Sequence, residues 1–186
     1  VSIAEALKPL GYATGCFGKW HLGDMPQFLP TKQGFDEYFG IPYSNDMWEE
    51  NTRGNPLTKR GPYAPLPVMK QDRPIARVSD GESQALLCDA VTDAAIDFIR
   101  RHKDEPFFAY VPHSYVHLPR FVTPERAKKA DGDVTRAQEE EVDSSVGRIM
   151  DELKKLGIAE NTLVFFTSDN GPASFLTAAP LRGGKG

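Results

Sequence analysis

The sequence predicts an α/β protein with a mainly parallel central sheet flanked by helices. Amphipathic helical stretches recur along the chain, a short apolar run follows each of them, and no hairpin signal separates the units. The composition suits one domain: 186 residues, 40% hydrophobic and 26% charged. A formal net charge of −4 argues against nucleic acid or an anionic membrane as partner, since neither attracts an acidic surface. No apolar run reaches the length needed to cross a bilayer.

Taken in order, Ile3, Leu7 and Leu10 share one helical face and Gly11 is placed to end that helix. Residues 12–20 then read as a strand that exits through Lys19-Trp20-His21. A second helix is expected over 83–102, where Leu87, Val91, Ala95 and Ile99 repeat every four residues and Pro106 follows the end. "FFAYV", residues 107–111, is a continuous apolar run, as in a strand buried on both faces. Val142, Ser145, Ile149, Leu153 and Leu156 mark a third helix stopping at Gly157, with Glu139-Glu140-Glu141 as its solvated face. "TLVFF", residues 162–166, follows as another buried strand. Residues 46–81 are proline-rich and expected to form an irregular loop insertion within the domain. Cys16 and Cys88 fit no metal-ligand spacing and read as buried thiols.

Each apolar run leads directly into polar residues. The first gives Lys19 and His21, the second His113, Ser114 and His117, the third Ser168, Asp169 and Asn170. In parallel α/β sheets ligands bind outside the carboxyl ends of the strands, so these segments are expected to converge on one rim. Lys19 and His21 are one residue apart and on an extended segment point to the same side. Asp169-Asn170-Gly171 offers hard oxygen donors suited to Ca²⁺ or Mg²⁺, while Lys19, His21, His117 and Lys185 supply positive charge and protons. A dication with such groups suits transfer of a tetrahedral anion, sulfate or phosphate. Taken singly, each element has a plainer reading: Asp169-Asn170-Gly171 as a turn, Lys185 as a solvated loop lysine, His113 as a structural hydrogen-bond donor. Their convergence favours a site.

These residues carry a resemblance. "LKPLGYATGCFGKWHLG" resembles the second signature of the formylglycine-dependent sulfatases, and "FLPTKQGFDEYFGIPYS", His117-Leu118-Pro119, "NTLVFFTSDNGP" and "PLRGGKG" follow in the family's order. The chain is most similar to the arylsulfatase A type, which includes bacterial arylsulfatases and N-acetylgalactosamine-6-sulfatases. The resemblance implies an alkaline-phosphatase-like fold and makes 1–186 part of the catalytic, N-terminal domain. By the same resemblance Asp169 and Asn170 match metal ligands, usually for Ca²⁺. Lys19 matches the lysine bridging the catalytic aldehyde and the sulfate, and His21 the histidine that takes the formylglycine hydroxyl proton. His117 and Lys185 match sulfate-contacting residues, with His117 a candidate acid for the leaving alcohol, and Ser44 lines the same pocket.

The family's nucleophile is a Cys or Ser in a C/S-x-P-x-R motif, converted to formylglycine by a maturation enzyme. Neither Cys16 nor Cys88 has that context and no serine does. The chain starts at Val1 and stops on Lys185-Gly186 in mid-pattern, so it is read as a fragment, expected to be inactive alone. The implied substrate is an aryl sulfate or a sulfated carbohydrate, and the implied location periplasmic, extracellular or lysosomal. The alternatives are a phospho- or phosphonate-ester hydrolase of the same superfamily, and a non-catalytic homologue that binds sulfated glycans or metal.

Overall fold

Residues 12–20, expected as one strand, contain β1 (Ala13–Lys19), about which the other elements are arranged. The structure, a computed structural model, describes residues 1–47, 65–173, 178–180 and 182–185. β1 pairs in parallel with β2 (Glu37–Ile41) on one side and with β5 (Phe107–Tyr110) on the other. β3 (Leu66–Lys70) and β4 (Arg73–Val78) extend the sheet beyond β2 in the order β4-β3-β2-β1-β5. β3 runs antiparallel to both of its neighbours, so the other four strands point one way. The mainly parallel α/β architecture stands.

Side chains alternate across β1 as the pleat requires. Cys16, with Trp20 beyond the strand end, packs on one face with Ala4, Phe35, Tyr38 and Met69. Phe17 faces the other way into Val91, Ala95, Phe98, Ile99 and Leu153. The first face is covered in part by α1 (Ile3–Leu7), whose Ser2 and Glu5 cap each other's backbone before Gly11 ends the following turn at φ +84°. The second is covered by α3 (Leu87–Arg101) and α5 (Val134–Lys155). α2 (Gly81–Ala85) and α4 (Pro124–Lys129) complete the helices. The expected helix over 83–102 is thus two: the Asp80–Ser83 capping box starts α2 early, and Leu86, half-exposed, breaks it from α3.

Four expectations are corrected. Residues 162–168 form no strand, and Leu163, Phe165 and Phe166 lie in solvent, 80%, 83% and 74% exposed. An apolar run shows only what a strand would bury once paired, and β5 is paired along β1 alone. β5 is accordingly an edge among the described strands, half-buried rather than covered on both faces. Within 46–81, residues 66–78 form the β3–β4 hairpin; 48–64 lie outside the described residues. Its turn is Gln71-Asp72, with Gln71 at φ +56°, and lacks the glycine that signals such a turn. Pro67 and Pro74 obscure the strands but are tolerated in an edge hairpin whose register shifts at Val68/Met69.

The last correction concerns α5. It begins two turns before the expected apolar stripe, capped by Asp133, because its first buried face is polar: Gln138, Glu141 and Ser145. Glu139 and Glu140 are solvated, but Glu141 is buried. Among the described residues both of its carboxylate oxygens lack hydrogen bonds, and Arg126 Nε on α4 lies 3.6 Å away while that guanidinium bonds Asp89 on α3 at 2.9 Å. Burial pushes the Glu141 carboxyl up to about 7, with Arg126 opposing and Asp89 adding. Alongside, His113 bridges Cys88 Sγ (3.6 Å) and Ser145 Oγ (3.1 Å), and Ser145 meets Thr92 Oγ1 at 2.6 Å. Burial holds His113 neutral, down to about 4.

At the carboxyl edge of β1 and β2, Gly18 (φ +141°) stands in register with Gly40 (φ +154°). A Cβ on Gly18 would fall on the Pro112 carbonyl oxygen, and one on Gly40 on the Gly18 carbonyl oxygen. The approach lets Lys19 N–H donate to Pro112 O at 2.8 Å. Gly18→Ala and Gly40→Ala are each expected to cost about 3 kcal/mol or more, read from urea unfolding, since backbone must move. Glu141→Gln tests the buried carboxyl. A carboxyl raised from 4.5 to about 7 stabilises the fold fully below pH 4.5, and that contribution is lost as pH rises through 7. The variant should therefore gain roughly 2–3 kcal/mol on the parent between pH 4.5 and pH 8.

Candidate active site

Three strand ends and the chain's tail meet at this edge. Beyond β1 the backbone keeps pairing with the β2 extension, Trp20 N–H to Ile41 O at 2.9 Å and His21 N–H to Pro42 O at 3.0 Å. His21 then turns into the left-handed region at φ +57°. The same-side argument for an extended Lys19-Trp20-His21 therefore does not describe this backbone. The two side chains nevertheless interact through their charges.

Burial holds the His21 imidazole below its usual 6.5, the charge of Lys19 adds to the effect, His117 and Lys185 add less, and Asp46 opposes. Burial likewise lowers the Lys19 ammonium, with Lys185 adding and Asp169 and Asp46 opposing. Asp169 also acts on Tyr110 at the end of β5. Lys19, His21, His117, Asp169 and Lys185 thus share one electrostatic neighbourhood, though they come from segments up to 166 residues apart (19 to 185).

Local bonds place the later members. Lys185 N–H donates to Pro172 O at 3.0 Å, and Gly184 lies so close to Gly171 that a Cβ there would collide. The tail is thereby pinned to the Asp169-Asn170 bend, itself held by Ser168 Oγ to Asn170 O at 2.8 Å. His117 Nδ1 lies 2.6 Å from Leu118 O; a carbonyl oxygen only accepts, so Nδ1 carries the hydrogen and Nε2 faces away from that bond. Ser44, where the chain leaves β2, is buried and its Oγ has no partner among the described residues.

The fit to a cation rests on chemistry. Asp169 and Asn170 present two neighbouring oxygen donors in solvent, which suit a hard dication, and among the described residues no group of three acidic, histidine or cysteine side chains forms around a point. Two such donors alone fall short of the oxygen count that a hard dication takes. Neither cysteine fits a nucleophile: both thiols are free and buried, burial raising Cys16 and pushing Cys88 up to about 12. Among the described residues no helix is long and apolar enough to cross a membrane.

Sequence reasoning overlooked Asp46 and Asn45. Asp46 is the carboxylate facing both Lys19 and His21, and Asn45 is wholly buried beside Ser44. Both directly follow Ser44, so the polar run Ser44-Asn45-Asp46 after an apolar strand was the available signal.

The sulfatase family model matches residues 1–186. N-acetylgalactosamine-6-sulfatase of Mus musculus is 37% identical over 98% of this chain, and arylsulfatase A of Homo sapiens 34% identical over 99%. The chain spans 34% and 37% of those two relatives. The crystal structure of PsFucS1 sulfatase from Pseudoalteromonas sp. superposes with a TM-score of 0.78 at 27% identity, over 92% of this chain and 38% of that one. With the fold, the ordered motifs and the full-length family match in agreement, the chain belongs to the sulfatase family.

Proposed function

We propose that this chain supplies half of the active site of a sulfate-ester hydrolase. The observation that carries this reading is the electrostatic convergence of Lys19, His21, His117 and Lys185 beside Asp169 at one sheet edge, in a member of the sulfatase family. These four cationic or proton-bearing groups, with a buried Ser44 hydroxyl that has no partner among the described residues, suit a tetrahedral anion.

In this reading Lys19, Lys185, His117 and Ser44 hold the sulfate and balance the charge that grows on it. His21, kept neutral mainly by burial and further by Lys19, would take the formylglycine hydroxyl's proton when sulfate is eliminated. His117, with Nδ1–H fixed on Leu118 O, gives the proton on Nε2 to the leaving alcohol. Asp169 and Asn170 contribute two ligands to a dication, taken as Ca²⁺, with the remaining ligands from outside this chain. When bound, the dication polarises the sulfate, and the formylglycine, made by a maturation enzyme from a Cys or Ser outside this chain, supplies the nucleophilic hydroxyl. The chain alone is accordingly inactive. Residues 1–186 form part of the catalytic domain in the same reading.

Hydrolysis of 4-nitrophenyl sulfate by the intact protein, with 4-nitrophenyl phosphate as comparison, tests the reading. Turnover of the sulfate ester is expected to exceed that of the phosphate; the reverse preference would overturn the assignment. Asp169→Ala should abolish turnover, and Asn170→Ala should reduce it less, because a neutral amide holds a hard dication less strongly. Equal losses would remove the two residues from the metal site.

The pH profile gives a separate check. Because the His21 imidazole is held below 6.5, the rising limb of kcat should lie below pH 6.5. Lys19→Met should move that limb upward only in part, since burial outweighs the lysine charge. A limb above pH 7 in the parent protein would exclude His21 as the base.

A further inference from the structure

The segment after β5 is fastened by its backbone carbonyls. Gln84 Nε2 on α2 donates to Pro119 O at 2.7 Å, and Tyr115 Oη (2.9 Å) and Gln138 Nε2 (3.4 Å) both donate to Phe121 O. A further donor reaches Leu118 O: Asn45 Nδ2, at 3.5 Å, from the loop that leaves β2. This carbonyl is the one that His117 Nδ1 uses at 2.6 Å. Its oxygen has two lone pairs, and the amide and the imidazole take one each.

Asn45 is wholly buried, and its Oδ1 has no hydrogen-bond partner among the described residues. Turning the amide over would face Oδ1 toward a carbonyl oxygen, so the donor side is held on Leu118. Leaving an acceptor unsatisfied in the interior is costly, and an aliphatic side chain of the same volume would fill the space without that cost. The amide is retained for its donor.

Resting on the reading of His117 as the acid for the leaving group, we propose that Asn45 is a positioning residue for His117, acting through the Leu118 carbonyl. The amide fixes the carbonyl, the carbonyl keeps the hydrogen on Nδ1 and sets the ring's orientation, and Nε2 is directed at the ester oxygen. As the sulfur–oxygen bond breaks, its electron pair stays on the ester oxygen, which takes the proton from Nε2. The sulfuryl group would pass to the attacking oxygen, whose proton goes to water, and His117 is left neutral with Nδ1–H still on Leu118 O. Asn45 touches neither substrate nor proton. It also ties this acid to Ser44, its neighbour in sequence, so two loops that face the anion move as one.

The test uses Asn45→Leu, which keeps the branched four-atom side chain at a somewhat larger volume and removes the donor, and Asn45→Ala as a second route should the first fail to fold. Both are made in the intact protein, with Gln84→Ala, which frees a neighbouring carbonyl, for comparison. General-acid assistance matters most for a poor leaving group, so kcat for phenyl sulfate should fall about tenfold or more while kcat for 4-nitrophenyl sulfate falls less than about threefold. KM should stay within about twofold. Gln84→Ala should lower both esters alike. Equal losses on the two esters in the Asn45 variants would overturn the inference. Selective ¹⁵N-histidine labelling gives a readout independent of turnover: the Nδ1–H form of His117 should dominate in the parent and give way to a mixture in Asn45→Leu. If the parent cleaves neither ester, the sulfate-ester reading fails, and this signal alone decides on Asn45. An unchanged Nδ1–H form in the variant would overturn its positioning role.

Discussion

Much of this molecule depends on one backbone approach. The carbonyl oxygen of Pro112 occupies the place where residue 18 would carry a side chain, and Lys19 N–H closes on it at 2.8 Å. Gly40 repeats the arrangement one strand over, against the carbonyl of Gly18. Through these contacts the ends of β1 and β2 and the segment after β5 are drawn to less than a side chain's width. Lys19, the Ser44 loop and the His117 loop each continue from one of those three ends. A sheet with ordinary residues there would still pair, but its strand ends would spread and the charged groups would be solvated singly. The site is therefore a consequence of missing side chains as much as of those present.

Behind this edge lies a layer that is unusually polar for an interior. Cys88, Thr92, His113, Ser145, Gln138 and Glu141 sit between α3, α5 and the loop after β5, and most are satisfied by one another. His113 and Glu141 respond to protons in opposite senses. The buried imidazole adds stability above its ordinary 6.5 that is lost as pH falls toward 4, whereas the buried carboxyl adds stability below 4.5 that is lost as pH rises through 7. Over the range where both act, the two dependences offset each other, which flattens the stability profile of this layer.

The parts of this fold that were legible in sequence are those with a single physical requirement. Apolar side chains set between glycines in β1, or recurring every four residues in α3, have few ways to be buried, and both elements appear nearly where expected. Lys19, His21, His117 and Asp169 drew notice in the sequence because each follows an apolar run, and Lys185 because it ends a glycine-rich motif. What stayed hidden depended on partners that patterning does not show. Glu141 lies between two solvated glutamates on one side and a helix on the other, and only the approach of α3 and α4 decides which of three acidic side chains loses water. The 162–166 run meets the composition of a buried strand and lacks a ladder. Asn45 is a single amide whose importance comes from a carbonyl 73 residues away.

The pinning of Gly184 and Lys185 onto Gly171 and Pro172 has a bearing on how such a site evolves. The lysine's position is set by its two ends meeting, not by the path between them. Insertions or deletions between residues 173 and 183 therefore leave the ammonium where it is, at an entropic cost that grows only logarithmically with length.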